Sequence, residues 1–181
     1  MTRQEAFDLV KPRFSNKNLF KHVLAVEAVM RELAGRLAQD VERWGLIGLL
    51  HDLDYEETMQ TPERHTLVTE EILRPYGLPD EIIRAIKSHN RMAPPDSLAA
   101  QALCAADPVT GLIVAAALMH PERRLASIDV EFIMRRFKEK SFARGADREQ
   151  IRSCESFGMS LAAFIEVALA GMRNIAKELG L

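Results

Sequence analysis

Apolar residues recur at steps of three and four along most of the chain, which is the period of an amphipathic α-helix. The longest such stretch has its apolar positions at Leu19, Val23, Val26, Met30, Leu33 and Leu37. The segment GLIGLL, residues 45–50, is apolar on every side and indicates a deeply buried helix. No useful length of β-branched alternation occurs. We therefore predict an all-α fold, a bundle of about eight to ten helices.

Residues typical of helix ends divide this pattern into segments. Thr2 and Glu5 have the spacing of a capping box, and the helix they begin should end near Pro12. Further predicted starts are Ser15 or Asn16, Asp40, Thr61 with Pro62, Pro79, Asp96 or Ser97, and Thr110, with two or three more from about Asp129, Asp147 and Ser160.

Two of these segments carry a specific expectation about where a helix stops. The helix that begins at Thr61 is predicted to run through His65 and Leu73 and to end at Gly77. Pro108 is predicted to interrupt the helix that reaches Asp107, because proline lacks the N–H that a helix interior needs.

Length and composition are those of an ordinary globular protein. The 181 residues suit one domain, 1–181, with 48% apolar residues, 28% charged residues and a formal net charge of −2. This charge balance gives no electrostatic argument for nucleic acid as a standing partner. No uninterrupted apolar run approaches the roughly 18 residues of a membrane span, and the charged N-terminus is unlike a signal peptide. We expect a cytoplasmic protein with no membrane partner, in which Cys104 and Cys154 are reduced.

The histidines are the main candidates for chemistry. Of the five, His22, His51 and His89 flank apolar faces and should point inward. A single inward histidine is usually a hydrogen-bonded core residue, but several on facing helices of a bundle can build a metal site. Imidazole suits Fe, Mn, Co, Ni or Zn, and a neighbouring carboxylate can bridge two ions.

The pair His51–Asp52 is the most specific feature, because it follows a buried helix and precedes an acidic cluster. Neighbouring side chains on a helix diverge by about 100 degrees, so both reach one ion only where the backbone turns, as at a helix end. The dipeptide alone is a weak signal. Together with His22, His65, His89 and Asp107 on separate segments, it forms a pattern typical of a metal centre.

With these residues the sequence resembles the HD-domain superfamily of metal-dependent phosphohydrolases. The signature H…HD…D is found as His22, His51–Asp52 and Asp107, and HDLDYEE is similar to the HDIG variant, with Leu53 and Asp54 in place of Ile and Gly. His65 and His89 are similar to the two extra histidines of bimetallic members. The resemblance covers roughly residues 15 to 120.

The resemblance implies a helical HD fold that binds one or two divalent transition-metal ions (Fe, Mn, Co, Ni or Zn). The implied ligands of the first ion are His22, His51, Asp52 and Asp107, and Asp52 would bridge to a second ion held by His65 and His89. Some bimetallic relatives have a further histidine directly after the second of these, where this chain has Asn90. The helices of residues 121–181 are expected to pack on the metal-site core.

The implied reaction is hydrolysis of a phosphate ester by a metal-activated water molecule. Asp54 or Glu56 could orient the water or protonate the leaving group, or could belong to a solvated acidic loop. Four cations near the ligands are candidates for binding a substrate phosphate or are simply solvated charges: Arg91, Lys87, Arg64 and Lys21. Arg91 is favoured because it follows His89 at a predicted helix end.

The leading hypothesis is therefore a metal-dependent phosphomonoesterase or phosphodiesterase that acts on a small phosphorylated metabolite, such as a nucleotide. One alternative is a di-iron oxygenase, because some HD-fold proteins use the same ligands for that chemistry. Another is a non-catalytic HD module that senses a ligand. The apolar segment SLAAFIEVALAGM, residues 160–172, could pack on the bundle or form the face of a homodimer.

Overall fold

A computed structural model describes all residues, 1–181, and contains helices but no β-strand. The α-helical segments are α1 (Arg3–Val10), α2 (Lys17–Arg36), α3 (Val41–Leu50), α4 (Tyr55–Thr58), α5 (Leu67–Leu73), α6 (Asp80–His89), α7 (Leu98–Met119), α8 (Val130–Lys138), α9 (Arg148–Arg152), α10 (Leu161–Asn174) and α11 (Ala176–Leu179). Only α4 and α11 are as short as 4 residues. The predicted all-α fold is confirmed.

Most helices begin where a short polar side chain can accept a hydrogen bond from the first turn. Thr2 and Glu5 form the predicted capping box. The other side-chain caps are Asn16 for α2, Asp40 for α3, Ser97 for α7, Asp129 for α8, Asp147 for α9 and Ser160 for α10. These starts agree with the sequence prediction because capping is a local interaction.

The predicted helix from Thr61 to Gly77 is wrong in one respect, since it is broken at His65 and Thr66, close to its start. A 3₁₀ turn covers Pro62–Arg64, His65 adopts an extended conformation, and Thr66 has a φ of 70° before α5 begins. The break turns the ring of His65 into the protein interior, where it bonds to Asp54. A continuous helix would fix the direction of that ring by its own period instead.

The predicted interruption at Pro108 is also wrong, because α7 continues through this residue. A proline inside a helix costs about 3 kcal/mol or more, so tertiary packing has to offset the loss. Pro108 is buried, as are residues on both sides of it. In the most apolar stretch of 18 residues within α7, 67% is buried inside the protein. Burial on this scale explains why α7 remains one helix of 22 residues.

Helix α7 is also long and apolar enough to cross a membrane, with a mean hydropathy of 1.8, although no uninterrupted apolar run within it reaches 18 residues. The 3₁₀ turn after α9 leads into α10, and the two segments Arg148–Phe157 and Leu161–Asn174 together pass the same test but are bent by 103°. This is weak support for a membrane span, because buried core helices share these properties.

Helix α2 lies at the centre of the fold, between α3 and α10, and also packs on α7. Two glycines allow this close packing. A Cβ on Gly48 of α3 would lie 2.8 Å from the Cα of Glu27, and one on Gly171 of α10 would lie 2.7 Å from the carbonyl oxygen of Ala28. The apolar face of α10 is thus covered within one chain, so residues 160–172 pack on the bundle. Both cysteines are free.

Candidate metal centre

Five segments converge on one open pocket of about 370 Å³. The second turn of α2 contributes His22, the C-terminal end of α3 contributes His51 and Asp52, the break before α5 contributes His65, the last residue of α6 is His89, and the middle of α7 contributes Asp107. The fold therefore brings all six sequence-predicted metal ligands together. Five of them line the pocket together with Leu19, Tyr55 and Asn90, and His51 is buried directly behind Asp52.

The carboxylate of Asp52 divides the histidines into two pairs. Its Oδ2 lies 3.6 Å from Nε2 of His22 and 3.4 Å from Nε2 of His51. Its Oδ1 lies 3.3 Å from Nε2 of His65 and 3.3 Å from Nε2 of His89. Each oxygen of one carboxylate thus faces two imidazole nitrogens, which is the arrangement a bridging ligand between two ions requires.

Asp107 belongs to the first of these pairs. Its Oδ1 lies 3.1 Å from Nε2 of His22 and 3.9 Å from Nε2 of His51. Ligand atoms of His22, His51 and Asp107 lie within 4.8 Å of one another, as do those of His51, Asp52 and His89. Two overlapping groups of ligands are therefore close enough to share metal ions.

The outer nitrogens of two of the rings identify their tautomers. His51 Nδ1 lies 2.7 Å from the carbonyl oxygen of Gly48, and His89 Nδ1 lies 2.5 Å from that of Ile86. A carbonyl oxygen only accepts, so both Nδ1 atoms donate and carry the proton. In the neutral rings the lone pair is then on Nε2, which faces the centre.

His22 reaches the same state through a hydroxyl group. Its Nδ1 lies 3.1 Å from Oγ1 of Thr110, and that hydroxyl donates its own proton to the carbonyl oxygen of Asp107 at 2.8 Å. Since the hydroxyl proton is used, Oγ1 accepts from Nδ1 of His22. Thr110 therefore orients one proposed ligand while it contacts the backbone of another.

The inward nitrogens fit a bound cation. Nε2 of His51 is completely buried and has no hydrogen-bond partner, which is costly for a polar atom. Nε2 of His65 lies 3.1 Å from Nε2 of His89, so a proton on His65 can be donated to the inward lone pair of His89. A divalent ion between these ligands would satisfy Nε2 of His51 and take the place of that proton. Imidazole and carboxylate donors suit transition metals.

The charges of the site are set by burial and by these close contacts. Burial raises the pKa of Asp52, but His51 and the hydrogen bonds of the other histidines outweigh it and hold the pKa well below its usual value. Burial likewise opposes ionisation of Asp107, and its contact with His22 leaves its pKa lowered. Burial lowers the pKa of His65, but Asp52 and Asp54 raise it to about 9. Both central carboxylates are therefore ionised near neutral pH.

The two predicted catalytic carboxylates beyond Asp52 do not reach the open pocket. Asp54 is buried behind His65, and its second oxygen accepts from the backbone N–H of Thr69 at 2.9 Å. Glu56 instead accepts hydrogen bonds from Ser15 and from the backbone of Asn16, just before α2. Neither oxygen pair is free to contact a water molecule among the ligands.

None of the four predicted phosphate-binding cations lines the pocket. The two lysines are already engaged: Lys87 pairs with Glu70 at 2.6 Å, and Lys21 donates to the carbonyl oxygen of Leu179 at 2.7 Å. The arginines are freer. Arg64 is 56% exposed and Arg91 is 80% exposed, and their ion pairs are long, at 3.8 and 3.7 Å.

Sequence reasoning did not assign a role to Tyr55. Its ring lines the pocket, is 37% exposed, and lies edge-on to His65 with a centroid distance of 5.4 Å. The residue stands within HDLDYEE, three positions after Asp52, so its place beside the predicted ligands was visible in the sequence. Its exposed face gives the site an aromatic rim.

The family model described as HD domain matches residues 19–112, just over half of the chain. The chain therefore belongs to the HD-domain family of metal-dependent phosphohydrolases, and the resemblance seen in the sequence is confirmed.

Among curated proteins the chain is similar to several enzymes named ribonuclease Y. That of Desulfotalea psychrophila is 31% identical over 138 residues, which cover 74% of this chain and 26% of that protein. Those of Nitratidesulfovibrio vulgaris and Geobacter sulfurreducens are 31% and 30% identical over 96 residues, or 53% of this chain and 18% of each relative. The chain thus spans about a quarter or less of these relatives. No solved structure gives a significant match.

These relatives correct one expectation from the sequence. They are named for action on RNA, which overturns the expectation of a small phosphorylated metabolite as substrate and of no nucleic-acid partner. That expectation depended on the formal net charge of −2, which describes the whole chain and not any one of its surfaces.

Proposed function

We propose that this protein is a phosphodiesterase that cleaves RNA with the help of two divalent transition-metal ions. The observation that carries the proposal is the carboxylate of Asp52, whose two oxygens each face a pair of imidazole nitrogens. RNA is proposed as the substrate because the curated relatives are named ribonuclease Y.

The proposed first ion is held by His22, His51, Asp52 and Asp107, and the proposed second ion by Asp52, His65 and His89. When bound, such ions lower the pKa of a water molecule towards neutrality and offset the negative charge of a phosphodiester. The protein keeps three of the histidine ligands oriented before any ion binds, since the Nδ1 atoms of His22, His51 and His89 each contact an outer partner.

The surroundings of the ligands also suit a polymer. The pocket is open to solvent, so a strand bound at the ligands could continue out of it. The exposed face of Tyr55 offers a surface on which a base next to the cleaved bond could stack. Arg64 and Arg91 retain exposed guanidinium groups that could contact neighbouring phosphates.

The proposal is tested by incubating the protein, loaded separately with Mn²⁺, Co²⁺, Ni²⁺, Zn²⁺ or anaerobic Fe²⁺, with an end-labelled single-stranded RNA. DNA of the same sequence and a panel of mononucleotides serve as alternative substrates. We expect cleavage of RNA, and loss of cleavage in His51→Ala and Asp52→Ala. His120→Ala is the matched control, because this histidine lies against Phe132, outside the site.

Four results would count against the proposal. Intact RNA together with phosphate release from mononucleotides would make the protein a phosphomonoesterase. Equal RNA cleavage by the His51→Ala protein would place the activity elsewhere. Two irons with a mixed-valence signal and oxygen consumption, without hydrolysis, would indicate the oxygenase alternative. Less than half an equivalent of any transition metal after anaerobic reconstitution would remove the metal centre itself.

A further inference from the structure

We propose that Asp54 is a positioning residue that preforms the second metal site, because it holds the ring of His65 and the start of α5 at the same time. The proposal rests on the two-metal centre of the proposed function. It gives Asp54 a role that acts through His65 and not through contact with water or substrate.

Both oxygens of Asp54 are committed to buried donors. The side chain is completely buried, Oδ1 lies 2.7 Å from Nδ1 of His65, and Oδ2 accepts from the backbone N–H of Thr69 at 2.9 Å. Asp54 thus joins two points of the chain that are 11 and 15 residues away from it. Among the four histidine ligands, only His65 has a carboxylate on its outer nitrogen. The outer nitrogens of His51 and His89 contact carbonyl oxygens, and that of His22 contacts a hydroxyl group.

His65 needs this support because it is not part of a helix. It lies between a 3₁₀ turn and α5, and the next residue, Thr66, has a positive φ and provides no side-chain cap for α5. The N–H of Thr69, the third residue of α5, belongs to the first turn, whose donors have no partner within the helix. Asp54 supplies the missing acceptor from a distant part of the chain.

A second hydrogen bond holds the backbone of His65. The side-chain amide of Asn90 donates to the carbonyl oxygen of His65 at 3.1 Å. Asn90 directly follows His89, so this bond ties the two proposed histidine ligands of the second ion to each other. With Asp54 on the ring and Asn90 on the backbone, the Nε2 of His65 is held 3.1 Å from that of His89.

The chemistry of the acceptor explains why aspartate is required. A carboxylate accepts on both oxygens, so it satisfies His65 and Thr69 together and leaves the lone pair of His65 on the inward Nε2. An asparagine has only one acceptor. Its NH₂ group would face either the N–H of Thr69 or Nδ1 of His65, and in the second case His65 would have to carry its proton on Nε2, where the metal binds.

The test compares Asp54→Asn with Glu57→Gln, which removes the same charge from an exposed carboxylate three residues away. Binding of Mn²⁺ is measured by calorimetry, together with the metal content after dialysis. We expect Asp54→Asn to bind the first ion as the wild-type protein does and to bind the second about 10- to 100-fold more weakly. Glu57→Gln should bind both ions like the wild-type protein.

A double-mutant comparison distinguishes positioning from a general structural effect. If Asp54 acts through His65, Asp54→Asn should cause no further loss of Mn²⁺ affinity in a His65→Ala background. Equal affinity for the second ion in wild type and Asp54→Asn would overturn the proposal. So would weakening of both ions together, or an additional loss in the His65→Ala background.

If Asp54→Asn does not fold, the proposed hydrogen bond between Asp54 and His65 can still be tested on the wild-type protein. By NMR of the metal-free protein, the Nδ1 proton of His65 should exchange slowly with solvent, and the ring proton of His120, whose Nδ1 accepts from the backbone N–H of Glu122, rapidly. Rapid exchange at His65 would contradict the proposal. Failure of the proposed function would look different, because wild-type protein that bound one ion or none would exclude a two-metal centre whatever Asp54 does.

Discussion

Replacing Gly48 by alanine tests the packing that carries His51 to the site. A Cβ at this position would lie 2.8 Å from the Cα of Glu27, 2.9 Å from the carbonyl oxygen of Val26 and 3.0 Å from the nitrogen of Glu27. All three atoms belong to the backbone of α2, so no side-chain rotation can relieve the overlap. Helices α2 and α3 would have to move apart.

The expected magnitude follows from two opposing effects. Overpacking of a well-packed interior typically costs 1–3 kcal/mol, and contact with rigid backbone points to the upper part of that range, about 3 kcal/mol. Removing a glycine from a helix interior returns about 1 kcal/mol. Gly48→Ala should therefore lower the free energy of unfolding by about 2 kcal/mol, which corresponds to a decrease in Tm of about 4–8 °C for a protein of this size.

The assay is thermal unfolding of the metal-free protein, with Gly111→Ala as the matched control. Gly111 also lies inside a helix, α7, but a Cβ there would meet no atom within 4 Å, so Gly111→Ala should raise the stability by about 0.5–1 kcal/mol. Because the carbonyl oxygen of Gly48 accepts from His51, the Gly48 variant should also bind the first ion more weakly. If both alanine variants were equally stabilised, the close approach of α2 and α3 would be refuted.

Three further predictions concern the site. Hydrogen bonds from Ser15 lower the pKa of Glu56, so Glu56→Gln should be less stable than the wild-type protein at pH 7. This difference in stability should disappear as the pH falls below the lowered pKa. RNA cleavage by the variant should be unchanged. The pKa of His65 is raised from 6.5 to about 9. In the metal-free protein its contribution to stability is therefore complete below pH 6.5 and is lost as the pH rises through 9. Urea titrations at a series of pH values should show this loss in the wild-type protein but not in His65→Ala. Tyr55→Ala should weaken RNA binding by about 1–3 kcal/mol, measured as Kd with an uncleavable RNA analogue, while Tyr55→Phe should bind like wild type.

Features set by neighbouring residues could be predicted from the sequence. Asn16, Asp40 and Ser160 begin helices as predicted because a cap needs only the side chain and the next three backbone groups. The amphipathic pattern of α2 was also a correct guide, because the predicted apolar positions Val23, Val26, Met30 and Leu33 are buried against neighbouring helices. Both signals can be read without knowledge of the rest of the fold.

Features set by distant contacts could not. The local sequence around Pro108 predicts the end of a helix. The helix nevertheless continues, because α7 is buried on both sides of this residue. The break at His65 is the opposite case, because its sequence is compatible with a helix and a bond to Asp54 stabilises the alternative. In both places a tertiary interaction overrides a local preference.

The candidate site shows the same division. The identity of six possible ligands followed from residue types and family resemblance, and the fold brings all six together, five in the pocket and His51 buried beside them. The roles of the surrounding carboxylates did not follow, because HDLDYEE gives no indication that Asp54 turns inward while Glu56 turns towards Ser15. Sequence proximity to Asp52 was a poor guide, since the intervening chain changes direction between α3 and α4.

The correction about RNA has a related physical cause. Residues 123–152, which include α8 and α9, contain nine lysines and arginines against five aspartates and glutamates, so this part is positive although the whole chain is not. Arg91, two residues after His89, forms an ion pair with Asp147 of this part, and a pocket between them reaches Ser88. Phosphates interact with charges within about 10 Å at moderate ionic strength, so a strand would respond to these local groups and only weakly to acidic residues elsewhere. The net charge of the whole chain does not show how charged side chains are distributed around the metal centre, and this distribution decides whether a polyanion can lie beside it.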